Sequence, residues 1–304
     1  MKKLLLIDTF NFLHRAFHAL PKTFKDANNE PTNAVYGVTS MLINIFDTLK
    51  PDYAVAALDG EKPTFRVGEF TGYKAHRAEI DPDLASQIPK VFEILDAFGV
   101  KKIVVEGYEA DDVIGTLVTK LKAKTDIVIA SNDRDLWQLV GKNVAIMLPT
   151  KEGPAEWLWE REVKARLGFE PKLLADYKAL RGDPSDNIPG VYGVGEKTAQ
   201  DLVERYGCIE EIYRHISEII PVSLKGKLAN NAEEAVLSKK LALIVKDVPL
   251  YVSLEECEYR EFNKAAVVEV LKKYNFKSLI RRLGFEIEDK KKKPAVPENQ
   301  VALV

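Results

Sequence analysis

Nine carboxylates stand in five short runs of this sequence, most of them at the ends of apolar segments. They are Asp8 after Leu4-Leu5-Leu6-Ile7, Asp59 after Val55-Ala56-Ala57-Leu58, and Glu109, Asp111 and Asp112 in Glu109-Ala110-Asp111-Asp112. Asp133 and Asp135 follow Ile127-Val128-Ile129-Ala130, and Asp183 and Asp186 share Asp183-Pro184-Ser185-Asp186. Gathered in one place, such acids repel each other and need a compensating cation. Oxygen-only ligands select hard divalent ions such as Mg²⁺ or Mn²⁺. Each run also has a plain structural reading. An Asp at a strand end can cap the next helix, acids at 109–112 suit a helix dipole, and Asp183 and Asp186 can form a turn.

The elements that would bring the acids together are legible. Residues 4–7, 53–58, 102–105 and 127–130 are short aliphatic runs without alternation, as expected of strands buried on both faces of a parallel sheet. Helical patterns at 33–49, 83–98 and 110–123 separate them. The alternation predicts an α/β domain, and ligands of such sheets lie beyond the carboxyl ends of the strands. Residues 144–159 read as a β-hairpin around Lys151-Glu152-Gly153, and the chain beyond about 160 reads helical, broken by prolines. Residues 286–304, with Lys290 to Lys293, read as a tail or linker.

Composition narrows the classes. Apolar residues make up 46% and charged residues 30% of the 304, which describes a globular protein rather than a disordered one. Cys208 and Cys257 stand far apart with no paired spacing, so neither a zinc cradle nor a disulfide framework is indicated. Only four apolar residues precede Asp8, too few for a signal sequence, and no run could span a membrane. The reading is a cytoplasmic protein. Net charge is −2, but the nine acids carry more than that, so the remainder is mildly basic. An acidic pocket in a basic surround suits a phosphodiester substrate.

Two further motifs bear on the substrate. The stretch 60–82 holds Phe65-Arg66 and Tyr73-Lys74-Ala75-His76-Arg77, basic and aromatic with no apolar stripe. It predicts a mobile, partly helical excursion overhanging Asp59. Lys74 and Arg77 stand three apart and on a helix would point the same way, and aromatics among cations can stack bases and hold phosphates. A solvated basic loop is the alternative. Gly190-Val191-Tyr192-Gly193-Val194-Gly195-Glu196-Lys197-Thr198 is a glycine-rich turn feeding a helix near Glu196. It can present amides to an anion, or serve only as a tight helix connection. The cations Lys272, Lys273, Lys277, Arg281 and Arg282 read as a solvated helix face.

These residues together resemble the 5′ nuclease family, which includes the 5′→3′ exonuclease domain of bacterial DNA polymerase I, phage 5′ exonucleases and flap endonucleases. The resemblance covers about residues 3–285. It rests on Leu6-Ile7-Asp8, Pro31 to Gly37, Phe65-Arg66, Tyr73 to Arg77, Gly107 to Asp112, Asn132 to Asp135, Gly182 to Gly190 and Gly193 to Ala199. It implies a PIN-like α/β core at 1–160 with a helical arch about 60–98, and a helix-hairpin-helix DNA-binding region at 161–285.

The resemblance also implies roles. Asp8, Asp59, Glu109, Asp111 and Asp133 would hold one ion. Asp135, Asp183 and Asp186, with a share of Asp133, would hold a second about 4 Å away, and Asp112 belongs to the same family set. Lys74 and Arg77 would be catalytic arch cations. Arg66, Tyr73, Gly190, Gly193, Gly195, Lys197 and Thr198 would bind substrate, with K⁺ at the hairpin carbonyls. The expected activity is two-metal hydrolysis of DNA with a 5′ flap or end, or of an RNA primer, in replication and repair. A monomer in the bacterial nucleoid is expected, with a DNA polymerase in the same chain or separate. The rivals are a non-catalytic DNA-binding module and a PIN-type ribonuclease.

Overall fold

The computed structural model of the chain describes residues 2–149 and 155–286. The first strand, β1 (Lys3–Asp8), runs directly into α1 (Thr9–Ala19), because Asp8 caps that helix by accepting from the Asn11 amide at 3.2 Å. Then come α2 (Asn33–Leu49), β2 (Tyr53–Leu58), the short α3 (Phe65–Glu69), α4 (Pro82–Ala85), α5 (Ile88–Ala97) and β3 (Lys101–Val104). The core continues through α6 (Ala110–Leu121), β4 (Asp126–Ala130), β5 (Val144–Leu148) and β6 (Glu156–Leu158). A 3₁₀ turn, Asp135–Leu139, lies between β4 and β5.

The sheet order is β3-β2-β1-β4-β5-β6. All neighbours are parallel except β6, which pairs antiparallel with β5. The strands leave β1 in one direction and β4 in the other, so the switch point falls between the ends of β1 and β4. Both faces are covered, which explains the unbroken apolar runs. Leu4, Leu6, Val55 and Ile129 face α6 and the helices beyond 160. Leu5, Ile7, Ala54 and Val128 face α1, α2 and α5.

The helical part comprises α7 (Glu160–Leu167), α8 (Leu174–Arg181), α9 (Glu196–Tyr206), α10 (Ile209–Arg214), α11 (Val222–Asn230) and α12 (Ala232–Ala242), then α13 (Lys264–Lys273) and α14 (Lys277–Arg282). The region expected at 161–285 does not stay together. Its last part returns to the far face of the sheet, where Tyr259 stacks on Phe46 at 4.6 Å and Phe262 packs on Phe98 at 4.7 Å between ring centroids. The apolar stripe Val267, Val268 and Leu271 completes that layer. The expected hairpin turn at 151–153 and, beyond Glu286, the expected tail lie outside the described residues. Among the described residues no helix is long and apolar enough to cross a membrane.

The stretch 60–82 is partly helical, as expected, through α3, but its segment from Val67 to Lys74 is packed against the body rather than standing off it. Val67, Phe70 and Tyr73 pack with Ile188, Ala175 and Leu241 in a small core of their own. The Lys74 amide donates to the Asp186 carbonyl at 2.9 Å, and Asn187 Nδ2 donates to the Gly72 carbonyl at 2.7 Å. Its apolar residues were spaced for turns rather than for a helix, which hid the stripe.

Candidate active site

A cleft of about 480 Å³ opens at the switch point. Seven of the nine acids line it: Asp8, Asp59, Glu109, Asp111, Asp133, Asp135 and Asp186. Backbone and hydroxyl donors fix several before any ligand arrives. Asp8 Oδ2 accepts from Ser131 Oγ at 2.7 Å, Asp59 Oδ1 from the Ala110 amide at 2.8 Å, and Asp133 Oδ1 from the Asp135 amide at 2.9 Å. Asp59 thereby meets an otherwise free donor at the start of α6.

Two cations and a phenol rim the acids. Lys74 Nζ lies 2.9 Å from Glu109 Oε2 and 3.9 Å from Asp186. Arg77 Nη2 lies 2.6 Å from Asp186 Oδ1. The buried Tyr73 hydroxyl lies 3.2 Å from Glu109 and 3.3 Å from Asp186, so its one proton serves either. Burial and those two acids push the Tyr73 phenol up, and it stays protonated.

A second cleft of about 720 Å³ shares Asp133 and Asp135 as a common wall. Asp183 lines it, with Lys178, Arg181, Ser185 and Gln200. Lys178 Nζ bridges Asp135 and Asp183. Burial alone would lower the Lys178 ammonium, but the two acids outweigh it and hold it above its ordinary value. Burial would likewise raise Asp183, yet Lys178 outweighs burial and holds the acid below the usual carboxylate range.

The other crowded acids have less relief. Asp8 is 5% exposed, and burial, with Asp133 and Asp59 adding to it, pushes it up to about 7. Burial and then Asp133, Asp8, Asp135 and Glu109 push Asp111 well above the carboxylate range. Burial raises Asp135 to about 6, because Asp133 adds to what Lys178 only partly offsets. Crowded carboxylates, compensated only in part, fit a hard divalent cation. Among the described residues, however, no three acids, imidazoles or thiols close into a finished metal cage. Lys74, Arg77 and Lys178 hold carboxylate oxygens that a metal would need.

Three expected site residues do structural work. Asp112 is 0% exposed and lies behind the cleft, where Arg66 grips both its oxygens at 2.7 and 2.8 Å. It also accepts from the Val245 and Glu109 amides, leaving little for a metal. Arg66 is 3% exposed, and its remaining donors reach the carbonyls of Leu241 and Leu243. It anchors the chain after α12 and also lines the cleft, 3.8 Å from Glu109. Gly190 is also structural. Its φ is +68°, and a Cβ there would meet the Gly182 amide nitrogen at 2.2 Å, so only glycine fits the crossing.

The rest of the hairpin faces outward. Gly193, Gly195 and Lys197 are exposed and Thr198 is half-buried. No side chain caps the N-terminus of α9, so its first amides remain open to an anion. The Gly193 carbonyl accepts from Lys227 Nζ at 2.8 Å. Sequence reasoning missed α1 as a cleft wall, although it supplies Asn11 and His14. Burial, then His18 and Arg77, lower His14 below its ordinary value. Lys178 was missed because nothing marks it among helix lysines.

A mostly parallel sheet with an acidic cleft at its switch point, joined to a helical unit with an open glycine hairpin, defines a protein of the resolvase-like α/β class. The matches agree on the class. The chain belongs to the 5′–3′ exonuclease family: residues 3–168 match its N-terminal resolvase-like domain and residues 169–265 its C-terminal SAM fold. It is 46% identical to DNA polymerase I of Caldicellulosiruptor bescii over 286 residues, covering 93% of this chain and 33% of that protein. To DNA polymerase I of Bacillus subtilis it is 39% identical, covering 93% and 32%. The chain thus spans about a third of the length of these polymerases. Among solved structures, the bacteriophage T5 5′-exonuclease with bound zinc superposes with a TM-score of 0.63 at 21% identity, covering 93% of this chain and 100% of that one. The T5 flap endonuclease in a pseudo-enzyme-product complex with DNA and metal ions gives 0.64 at 20% identity, covering 90% and 100%.

Proposed function

We propose that this chain hydrolyses DNA phosphodiesters as a structure-specific 5′→3′ exonuclease and 5′ flap endonuclease, acting also on RNA primers, in replication and repair. Its products would carry a 5′ phosphate and a 3′ hydroxyl. The observation that carries the reading is the convergence of seven family acids on one cleft rimmed by Lys74 and Arg77.

Asp8, Asp59, Glu109, Asp111 and Asp133 would hold one Mg²⁺ or Mn²⁺. Asp135, Asp183 and Asp186, sharing Asp133, would hold another. When bound, such ions neutralise phosphate charge and make a bound water nucleophilic near neutral pH. The protein does the rest. Amide and hydroxyl bonds to Asp8, Asp59 and Asp133 preset the carboxylates, so little reorganisation accompanies reaction. Lys74 and Arg77, held by Glu109 and Asp186 in the free protein, would turn to the phosphate oxygens and stabilise the charge that develops there. Terminal base pairs would unstack to bring the phosphate down to the acids. The open amides of α9, with Lys197 and Thr198, would grip the duplex backbone without reading its sequence.

K⁺ at the hairpin carbonyls is part of the proposal, with Gly193 already engaged by Lys227. So are a monomeric state, a nucleoid setting and a DNA polymerase as partner, the last because the relatives are DNA polymerases I. The test compares cleavage of a 5′-flapped duplex and of single-stranded RNA, with Mg²⁺ and with EDTA. Mg²⁺-dependent release of the flap with a new 5′ phosphate is expected. Preference for single-stranded RNA would make the protein a ribonuclease instead. Duplex binding with no cleavage would make it a scaffold.

A further inference from the structure

Lys178 on α8 is a buried cation for which the proposed chemistry has no task. It is 8% exposed. Its Nζ donates to Asp135, in the 3₁₀ turn after β4, and to Asp183 Oδ2, in the loop after α8. Salt-bridge geometry holds on both sides. Two carboxylates drawn onto one ammonium, one buried and one half-buried, favour a cation between them. The ammonium supplies one, at the place where the second divalent ion would stand.

We propose that Lys178 is an internal counter-ion standing in for the second metal ion, so that the ion binds only by displacing it. This rests on the metal reading of the acids given above. An ammonium and a divalent ion within contact distance of the same two oxygens repel strongly in a partly buried site, so occupancy is exclusive. The displaced side chain has somewhere to go. Its four-carbon stem is flexible, and it lines the second cleft beside Tyr177, Arg181 and Gln200.

The first set of acids has no equivalent guard at its deep end. Asp8 accepts only from the Asn11 amide and Ser131 Oγ among the described bonds. The two sites therefore differ in kind. The Asp8–Asp111–Asp133 side waits for a cation, whereas the Asp135–Asp183 side already holds one. Loading is sequential, with the second ion held weak by Lys178. Lys178 is a positioning residue here, acting through the two acids it holds.

The test is Mn²⁺ binding to the full chain without DNA, followed by calorimetry and by electron paramagnetic resonance. Wild type is expected to show a tight class and a weak class of sites. Lys178→Met should tighten the weak class by about tenfold or more, the scale of removing one close positive charge. Lys178→Arg, which keeps the charge, should leave it weak. In EDTA, Lys178→Met should melt lower than wild type and regain more on adding Mn²⁺. Lys178→Gln is the second neutral variant should the methionine protein not fold. A Mn²⁺ isotherm unchanged by both neutral substitutions, or a weak class abolished by them, overturns the proposal while the metal reading stands. No Mn²⁺ binding by wild type or any variant overturns both.

Discussion

The Arg66 guanidinium holds both oxygens of Asp112, Nη1 to Oδ2 at 2.7 Å and Nη2 to Oδ1 at 2.8 Å, so that Arg66 lines the acidic cleft and Asp112 lies behind it. Removing one member leaves a buried charge without its partner. Asp112→Ala should therefore lower unfolding stability by about 3–5 kcal/mol, measured by denaturant titration in EDTA. If stability is kept and divalent-metal affinity falls instead, Asp112 belongs with the metal ligands after all.

Lys74 reaches Glu109 at 2.9 Å and keeps a partly exposed ammonium at the cleft rim. Lys74→Ala should cut the single-turnover rate by roughly 10², the scale of one lost preorganised contact to developing charge. Its melting temperature should stay near wild type. An unaltered rate would remove Lys74 from the chemistry.

Lys197 is exposed in the first turn of α9, beside amides that no side chain caps. Lys197→Ala should weaken duplex binding and reduce the slope of log affinity against log salt by about one. The same slope in both proteins would reduce the hairpin to a helix connection.

Acid crowding should appear in the pH dependence of the metal-free protein. Asp8 rests at about 7 in the fold against an ordinary 3.8. Between those values the folded state binds the extra proton, so its stability falls as pH rises. The contribution is intact below 3.8 and fully lost above about 7. In EDTA, Asp8→Asn should gain on wild type by up to roughly 1.4 kcal/mol per pH unit across that window, as read from unfolding at several pH values. Saturating Mg²⁺ should flatten the wild-type fall. A stability difference that does not vary with pH would show that Asp8 is not held protonated.

The sheet was legible because burial on both faces leaves unbroken aliphatic runs such as Leu4 to Ile7, and four of its five parallel strands declared themselves this way; β5 read only as one arm of a hairpin. The acids were legible as a set because each run follows a strand or opens a helix. What sequence could not tell was which acids face the cleft. Glu109 and Asp112 both stand at the start of α6, yet one side chain reaches forward to Lys74 and the other back to Arg66, 46 positions away. Pairings over such distances leave no local pattern. Helix α1 escaped for the opposite reason. Asp8 both ends the strand and caps the helix, so no linker marks the change. The return of Tyr259 to Phe285 to the sheet was hidden because an amphipathic stripe does not name the face it will cover.

Asp133 stands between the two clefts and lines both, so the central claim rests most directly on it. The measurement is the single-turnover cleavage rate of a 5′-flapped duplex by Asp133→Ala in saturating Mg²⁺, with duplex affinity measured on the same protein. The account predicts that cleavage is lost, by roughly 10³ or more as expected for removal of a ligand shared by both ions, while binding stays within a few-fold. Cleavage at the wild-type rate would contradict it.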